Sequence, residues 1–177
     1  MKKIILCIAL LLGFSTFLIS NSTEAQASAN SELKSIKKYA AKGTVKGAKG
    51  IKLGSKSTDI KKKLGKPKEL SYYKYMFQSE YKTKYGLITF LGLYDKFTYL
   101  GPKLESKNKV KGICKKINGA GYSYSQIKKV FGKPYSKGYN HGKTAYEIRF
   151  KVNGKKITFS IGDEKTYRNY YVGDAPY

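Results

Sequence analysis

An eight-residue motif occurs twice in this 177-residue chain, 67 residues apart. The copies run from Ile60 to Pro67 and from Ile127 to Pro134, and six of the eight positions are identical. Self-similarity at such an offset indicates a duplicated supersecondary unit. We therefore predict an α+β fold with two tandem helix-plus-antiparallel-sheet repeats, at residues 51–117 and 118–177, preceded by a short N-terminal helix.

The motif also predicts where each repeat's helix ends. Gly65 and Gly132 stand where a residue with positive φ closes a helix, and Pro67 and Pro134 prevent its continuation. A phosphate-binding loop does not fit, because such loops precede a helix rather than follow one. Four hydroxyl residues are candidate N-caps for the two helices: Ser57 or Thr58 in the first, and Ser123 or Ser125 in the second.

After each copy of the motif the apolar residues alternate as they do in strands. In the second half, the alternation of residues 146–152 is followed by Asn153-Gly154 and a second alternating run, which predicts a β-hairpin. In the first half, residues 72–77 and 86–92 show the same pattern. Further strands are expected near residues 96–100, 110–117 and 167–172, so each unit should be a helix packed on one face of a meander.

The N-terminus has the features of a secretory signal peptide. Lys2 and Lys3 precede an apolar stretch over residues 4–19, and small residues between 25 and 29 offer cleavage sites. We expect residues 1–27 to be removed and the protein to be secreted, with retention at the cell wall left open; an uncleaved membrane anchor is the alternative. Residues 28–50 then predict a helix capped by Ser31, followed by a loop or mobile linker, basic and glycine-rich, at 42–50.

Removal of that segment would leave Cys114 as the one cysteine of the mature chain. An intramolecular disulfide is then excluded, and the thiol between Ile113 and Lys115 is expected to pack as a small hydrophobe. Catalysis finds little support in the remaining residues. His141 is the only histidine, the densest acidic pair is Asp163-Glu164 in a predicted turn, and we expect no enzyme activity, no cofactor and no metal.

The chain is strongly basic, with a formal net charge of +25 at pH 7. Such a charge favours anionic partners and association that weakens with salt. Because the protein is expected to be exported, nucleic acid is disfavoured as a partner, whereas a cell-wall polymer and peripheral contact with a membrane remain candidate partners. The alternative is that much of the charge only keeps a chain with 17 tyrosines soluble.

Tyrosines on the uncovered face of a sheet suit recognition, because they combine rigid contact area with a polar tip. At least half of the tyrosines are expected to be structural. The predicted binding residues are Lys61, Lys62, Lys63, Lys66, Lys128, Lys129, Lys133, Tyr72, Tyr81, Tyr85, Tyr135, Tyr139 and Tyr170, with the tyrosines among them expected to be exposed.

The order of these segments resembles a known family. The helix over residues 33–42, the segment 50–60 and both copies of the Gly-Lys-Pro motif are similar to the YjgB-like secreted proteins of Gram-positive bacteria. That resemblance implies duplicated units similar to the β-lactamase-inhibitor-protein fold and to BamE-like domains, and hence binding rather than turnover. The chain departs from the family pattern between Tyr94 and Lys109.

Two functions follow as expectations. The first is a secreted, non-catalytic protein that presents basic, tyrosine-rich sheet surfaces to an exported protein partner or inhibitor target. The alternative is electrostatic binding to an anionic cell-wall polymer, a membrane surface or another extracellular polyanion. The oligomeric state and the identity of the ligand stay open.

Overall fold

The computed structural model describes residues 25–73, 76–93, 108–117, 119–161 and 166–174. Most of the predicted signal peptide, the strand expected near 96–100 and the Asp163-Glu164 pair lie outside these residues. Helix α1 is described over residues 25–41. The other elements are α2 (Ser57–Leu64), β1 (Glu69–Tyr73), β2 (Met76–Thr83), β3 (Gly86–Leu93), β4 (Lys109–Lys116), α3 (Tyr124–Phe131), β5 (Ser136–Tyr139), β6 (Tyr146–Val152), β7 (Lys155–Ile161) and β8 (Asn169–Gly173).

All eight strands form one antiparallel sheet, in the order β1-β2-β3-β4-β8-β7-β6-β5. The prediction of two tandem helix-plus-sheet repeats is therefore wrong as an architecture. The two halves do not fold into separate sheets, because β4 pairs directly with β8 from Gly112↔Gly173 to Lys116↔Asn169. The described residues form one sheet and three helices.

Two glycines make the central β4–β8 pairing sterically feasible. A Cβ atom added at Gly173 would lie 2.2 Å from the carbonyl oxygen of Lys111, and one at Gly112 would lie 2.8 Å from that of Asp174. Backbone oxygens cannot move aside as flexible side chains do, and Gly173 also has φ +102°. Glycine at this pair of positions is thus a requirement of the single sheet.

The core lies on one face of the sheet. Alternate strand residues such as Phe90, Ile113 and Phe159 are fully buried there. Helix residues Leu33 and Ile60, one each from α1 and α2, belong to the same hydrophobic cluster, as does Ile127 from α3. The intervening strand residues point to the opposite face, which we call the polar face.

Helix α1 differs from its prediction at its start. Leu33, Ile36 and Ala40 are buried as the helical spacing predicts, but the helix is already formed at residue 25, so Ser31 lies inside it and is not its cap. The following segment, 42–50, is non-helical as expected. It is not a free connector, since Val45 and Ala48 are 1% exposed and belong to the core.

The helix boundaries confirm part of the capping prediction. Ser123 caps α3, accepting from the Gln126 backbone N–H while the Gln126 side chain accepts from that of Ser123. The prediction for α2 is wrong, because its N-cap residue is Lys56, whose side chain makes no capping hydrogen bond. Gly65 and Gly132 end the helices with φ of +82° and +85°, as predicted. The hairpin turn at residues 153–154 is also confirmed.

Candidate functional site

A cavity of about 710 Å³ lies in the described part of the chain. It lies between the segment after α1, the end of α2 and the tip of the β2–β3 hairpin. We call it the basic groove. Its floor includes Val45, Ala48 and Leu64, and its charged and aromatic lining consists of Lys42, Lys49, Lys82, Lys84, Tyr39, Tyr81 and Tyr85.

Among the described residues, the four lysines of the basic groove have no carboxylate partner. No aspartate or glutamate is among the described residues that line it. The ion pairs found in the described part of the chain lie elsewhere and join Lys68 to Glu80, Arg149 to Glu147, and Lys156 to Asp174. The groove therefore carries a local excess of positive charge above an apolar floor.

Three lysine side chains surround the Tyr85 ring at one end of the groove, and Lys84 is the one of them that also lines the groove. The ammonium nitrogens of Lys46, Lys84 and Lys115 lie 5.0, 5.1 and 5.8 Å from its ring centroid. Each is within the distance at which a cation is attracted to an aromatic face. The ring therefore attracts all three cations, and Glu32 lines the same small cavity as Lys46 and Lys115.

The local backbone explains how Tyr85 reaches this position. Thr83 holds the hairpin tip, because its hydroxyl donates to the Gly86 carbonyl at 2.9 Å and accepts from the Tyr85 backbone N–H at 3.1 Å. Gly47, with φ +97°, lets the loop close onto the ring, since a Cβ there would lie 2.9 Å from Tyr85 Cδ2.

Lys115 is the most buried of these cations. It is 9% exposed, and its ammonium group donates to the carbonyl oxygen of Lys46 at 3.0 Å. Burial lowers the pKa of Lys115, partly offset by the Glu32 carboxylate. The hydrogen bond from Lys115 connects the loop around residue 46 to strand β4.

The structure brings together only part of the predicted binding set. Tyr81 and Tyr85 line the basic groove, and Lys63 borders it, with its ammonium 3.6 Å from where a Cβ on Gly50 would lie. The other predicted lysines are exposed on or next to α2 and α3, away from the groove lining: Lys61, Lys62, Lys66, Lys128, Lys129 and Lys133. The sequence analysis did not predict the four groove lysines, of which Lys84 lies in the β2–β3 turn and Lys82 near the end of β2.

The exposure predicted for the tyrosines is wrong at two positions. Tyr81 and Tyr170 are each 2% exposed, because both occupy the core face of their strands. Tyr72 is partly buried against the core, and burial raises its pKa to about 12. Tyr85 is partly exposed, whereas Tyr135 and Tyr139 are 49% and 66% exposed, as predicted.

Among the described residues, Cys114 and His141 do not line the basic groove. Cys114 is partly buried on β4, and burial raises its pKa to about 11, which disfavours the nucleophilic thiolate. His141 is exposed in the loop after β5. In the described part of the chain, no three His, Cys, Asp or Glu side chains cluster as metal ligands. None of the described helices is long and apolar enough to cross a membrane.

Comparison with known proteins gives a likeness of fold. No family model matches the sequence, and no curated protein matches it significantly. Among solved structures, the crystal structure of a DUF4309 family protein, YjgB, from Bacillus subtilis superposes with a TM-score of 0.64 at 15% sequence identity. The alignment covers 84% of this chain and 99% of YjgB. The chain therefore has a YjgB-like fold.

Proposed function

We propose that this protein is a secreted, non-catalytic binding protein that holds an anionic ligand in the basic groove. The observation that carries the proposal is the set of four lysines around one cavity whose described lining contains no carboxylate. A cleft lined by charges of one sign concentrates oppositely charged ligands and speeds their association. Membership of the YjgB-like family, which the fold and the sequence resemblance favour, belongs to the same proposal.

The lining favours an extended ligand with repeated anionic groups, such as a phosphate-bearing wall polymer. The lysines come from two separate segments, 42–49 and 82–84, so a ligand that meets all four charges must contact both segments. Lysine ammonium groups bind phosphate as point charges and do not need the planar geometry that arginine imposes. The apolar floor supports the carbon skeleton between the charged groups.

A protein partner has less support from the described surface. The exposed large apolar side chains are Leu93, Tyr124, Tyr135 and Tyr139, which belong to β3, α3, and β5 with the turn before it. Protein interfaces draw most of their free energy from a compact cluster of buried anchors. The expectation of an exported protein partner therefore stays a prediction without a defined site.

The test compares two fourfold variants with the same change in charge. In the groove variant, Lys42, Lys49, Lys82 and Lys84 are each changed to Gln. In the control variant, the exposed helix residues Lys61, Lys62, Lys128 and Lys129 are changed to Gln. Binding of fluorescein-labelled inorganic polyphosphate is measured by anisotropy, after circular dichroism shows that both variants are folded.

We expect the groove variant to lose at least about tenfold in affinity, or about 1.4 kcal/mol, and the control to lose less than about threefold. Removing four contacts from a specific site should exceed the effect of lowering the overall charge. Equal losses in the two variants would show that polyphosphate binds to the surface charge in general, and the proposal would then be wrong.

A further inference from the structure

We infer that a second pocket, on the polar face of the sheet, binds a neutral saccharide. This pocket, about 260 Å³ in volume, lies over strands β6, β7 and β8 and the turn before β5. We call it the polar pocket. The residues on which the inference depends are Tyr135, Glu147, Arg149, Lys156, Tyr171 and Asp174.

The strand register places this pocket opposite the helices. Arg149, Thr158 and Tyr171 are cross-strand neighbours on β6, β7 and β8. Their sequence neighbours Phe150 and Phe159 belong to the core cluster on the other face. The polar pocket and the basic groove are therefore separate sites, and they share no lining residue.

A buried hydrogen-bond network forms the floor of the polar pocket. Glu147 is 3% exposed, and its two carboxylate oxygens accept from the Tyr171 hydroxyl and, at 2.5 Å, from Arg149 Nη2. Arg149 Nη1 also donates to the Ser136 hydroxyl at 3.2 Å. A buried ion pair is costly to place, so apolar residues would serve stability equally well or better. Because the Glu147–Arg149 ion pair lies on a strand of the sheet, it provides a preorganised set of polar groups.

The charges of the polar pocket cancel, which distinguishes it from the basic groove. Arg149 is paired with Glu147, and the ammonium of Lys156 lies 2.6 Å from Asp174 Oδ1. An anion would gain little attraction there. Donors and acceptors instead stand side by side, and this arrangement matches a hydroxyl group, which both donates and accepts. A ligand with several neighbouring hydroxyls satisfies the site best.

Tyr135 supplies an aromatic surface at the rim. It is 49% exposed, and the ammonium of Lys151 lies 5.4 Å from its ring centroid. A partly exposed tyrosine ring offers apolar contact area to the C–H face of a sugar ring. The cavity is smaller than the roughly 300–1,000 Å³ of sites for drug-sized ligands. The pocket therefore suits a terminal sugar unit rather than a long segment of chain.

The test uses ¹⁵N–¹H NMR of the purified protein titrated separately with maltotriose, cellotriose, mannotriose and chitotriose. We expect at least one of them to shift the backbone signals of Glu147, Arg149 and Tyr171 with a Kd below about 10 mM. Tyr135→Ala should weaken that binding at least about fivefold, whereas Tyr135→Phe should retain it. Tyr124→Ala, which removes an exposed tyrosine of α3 that does not line the polar pocket, is the matched control and should bind like the unmodified protein.

Three results would overturn the inference. The first is that none of the four trisaccharides shifts these signals at concentrations up to about 10 mM. The second is that Tyr135→Ala binds as tightly as the unmodified protein. The third is that inorganic phosphate shifts the same signals while the sugars do not. None of these outcomes depends on the basic groove, so they are distinguishable from a failure of the polyphosphate experiment.

Discussion

Two buried tyrosine hydroxyls of the sheet, those of Tyr81 and Tyr171, differ in their hydrogen bonding. Both side chains are less than a tenth exposed. The Tyr171 hydroxyl donates to Glu147, whereas the buried Tyr81 hydroxyl has no hydrogen-bond partner among the described residues. A buried hydroxyl without a hydrogen bond destabilises the folded protein, whereas a buried hydroxyl with one stabilises it. The two residues therefore offer a matched pair of phenylalanine substitutions.

We expect Tyr81→Phe to leave the free energy of unfolding unchanged or to raise it by up to about 1 kcal/mol. Tyr171→Phe should lower it by about 1–3 kcal/mol, because Glu147 then loses one of its two partners while staying buried. Urea unfolding followed by circular dichroism measures both. A greater loss for Tyr81→Phe than for Tyr171→Phe would contradict the hydrogen bonding described here.

Burial of Tyr170 predicts sensitivity to alkaline pH. Desolvation raises the pKa of Tyr170 above its ordinary value of 10.0. Above pH 10 the unfolded chain loses the phenolic proton while the folded protein keeps it, so the free energy of unfolding falls as pH rises. Between pH 8 and 11 the unmodified protein should lose about 1 kcal/mol more than Tyr170→Phe.

Urea unfolding of both proteins at the two pH values checks this expectation, with the difference between them as the measured quantity. The comparison cancels the effect of deprotonating the many lysines, which both proteins share. An identical pH dependence would mean that the Tyr170 phenol ionises as readily in the folded protein as in the unfolded chain.

At the scale of single elements, the two short repeated-motif helices begin differently although they end alike. Ser123 and Gln126 form a capping box at α3, while α2 begins at Lys56 without a side-chain cap. Ser123→Ala should therefore lower the free energy of unfolding by about 1 kcal/mol. Lys56→Ala, the control at the equivalent position, should change it by less than about 0.5 kcal/mol. Thermal unfolding distinguishes these values, and equal effects would contradict the capping difference.

The elements predicted best are those with strong local signals. The Asn153-Gly154 pair predicted the hairpin, and both residues have the positive φ that this turn requires. Gly65 and Gly132 likewise marked the ends of two helices. The sequence did not predict the start of α1, because the small residues at positions 25–29 also match the pattern expected of a signal peptide cleavage site. Ser31 is the first capping hydroxyl after that pattern, and for this reason it was predicted as the helix start.

At the scale of the whole molecule, the pairing of β4 with β8 decides the architecture. Gly173→Ala should lower the free energy of unfolding by about 2 kcal/mol or more, since the added Cβ would collide with the Lys111 carbonyl. Gly154→Ala is the control with positive φ but with nothing within 4 Å of the added Cβ. It should cost only about 1 kcal/mol of backbone strain. Equal costs would contradict the close approach of the two strands.

This pairing could not be predicted from the repeat. Identical motifs separated by 67 residues indicate similar local units but carry no information on whether their last strands meet. The relevant signal is a pair of glycines, at 112 and 173, and glycine is equally common in turns. The basic groove was missed for a related reason, because Lys42 and Lys82 lie 40 residues apart and meet only in the folded chain.

The dependence of polyphosphate affinity on salt tests the central proposal most directly. The logarithm of the binding constant is plotted against the logarithm of the NaCl concentration for the protein and its fourfold groove variant. A flexible polyanion releases about 0.7 counterion per neutralised charge, so removing the four lysines should reduce the slope by about 3. Parallel lines for the two proteins would contradict the claim that Lys42, Lys49, Lys82 and Lys84 hold the ligand.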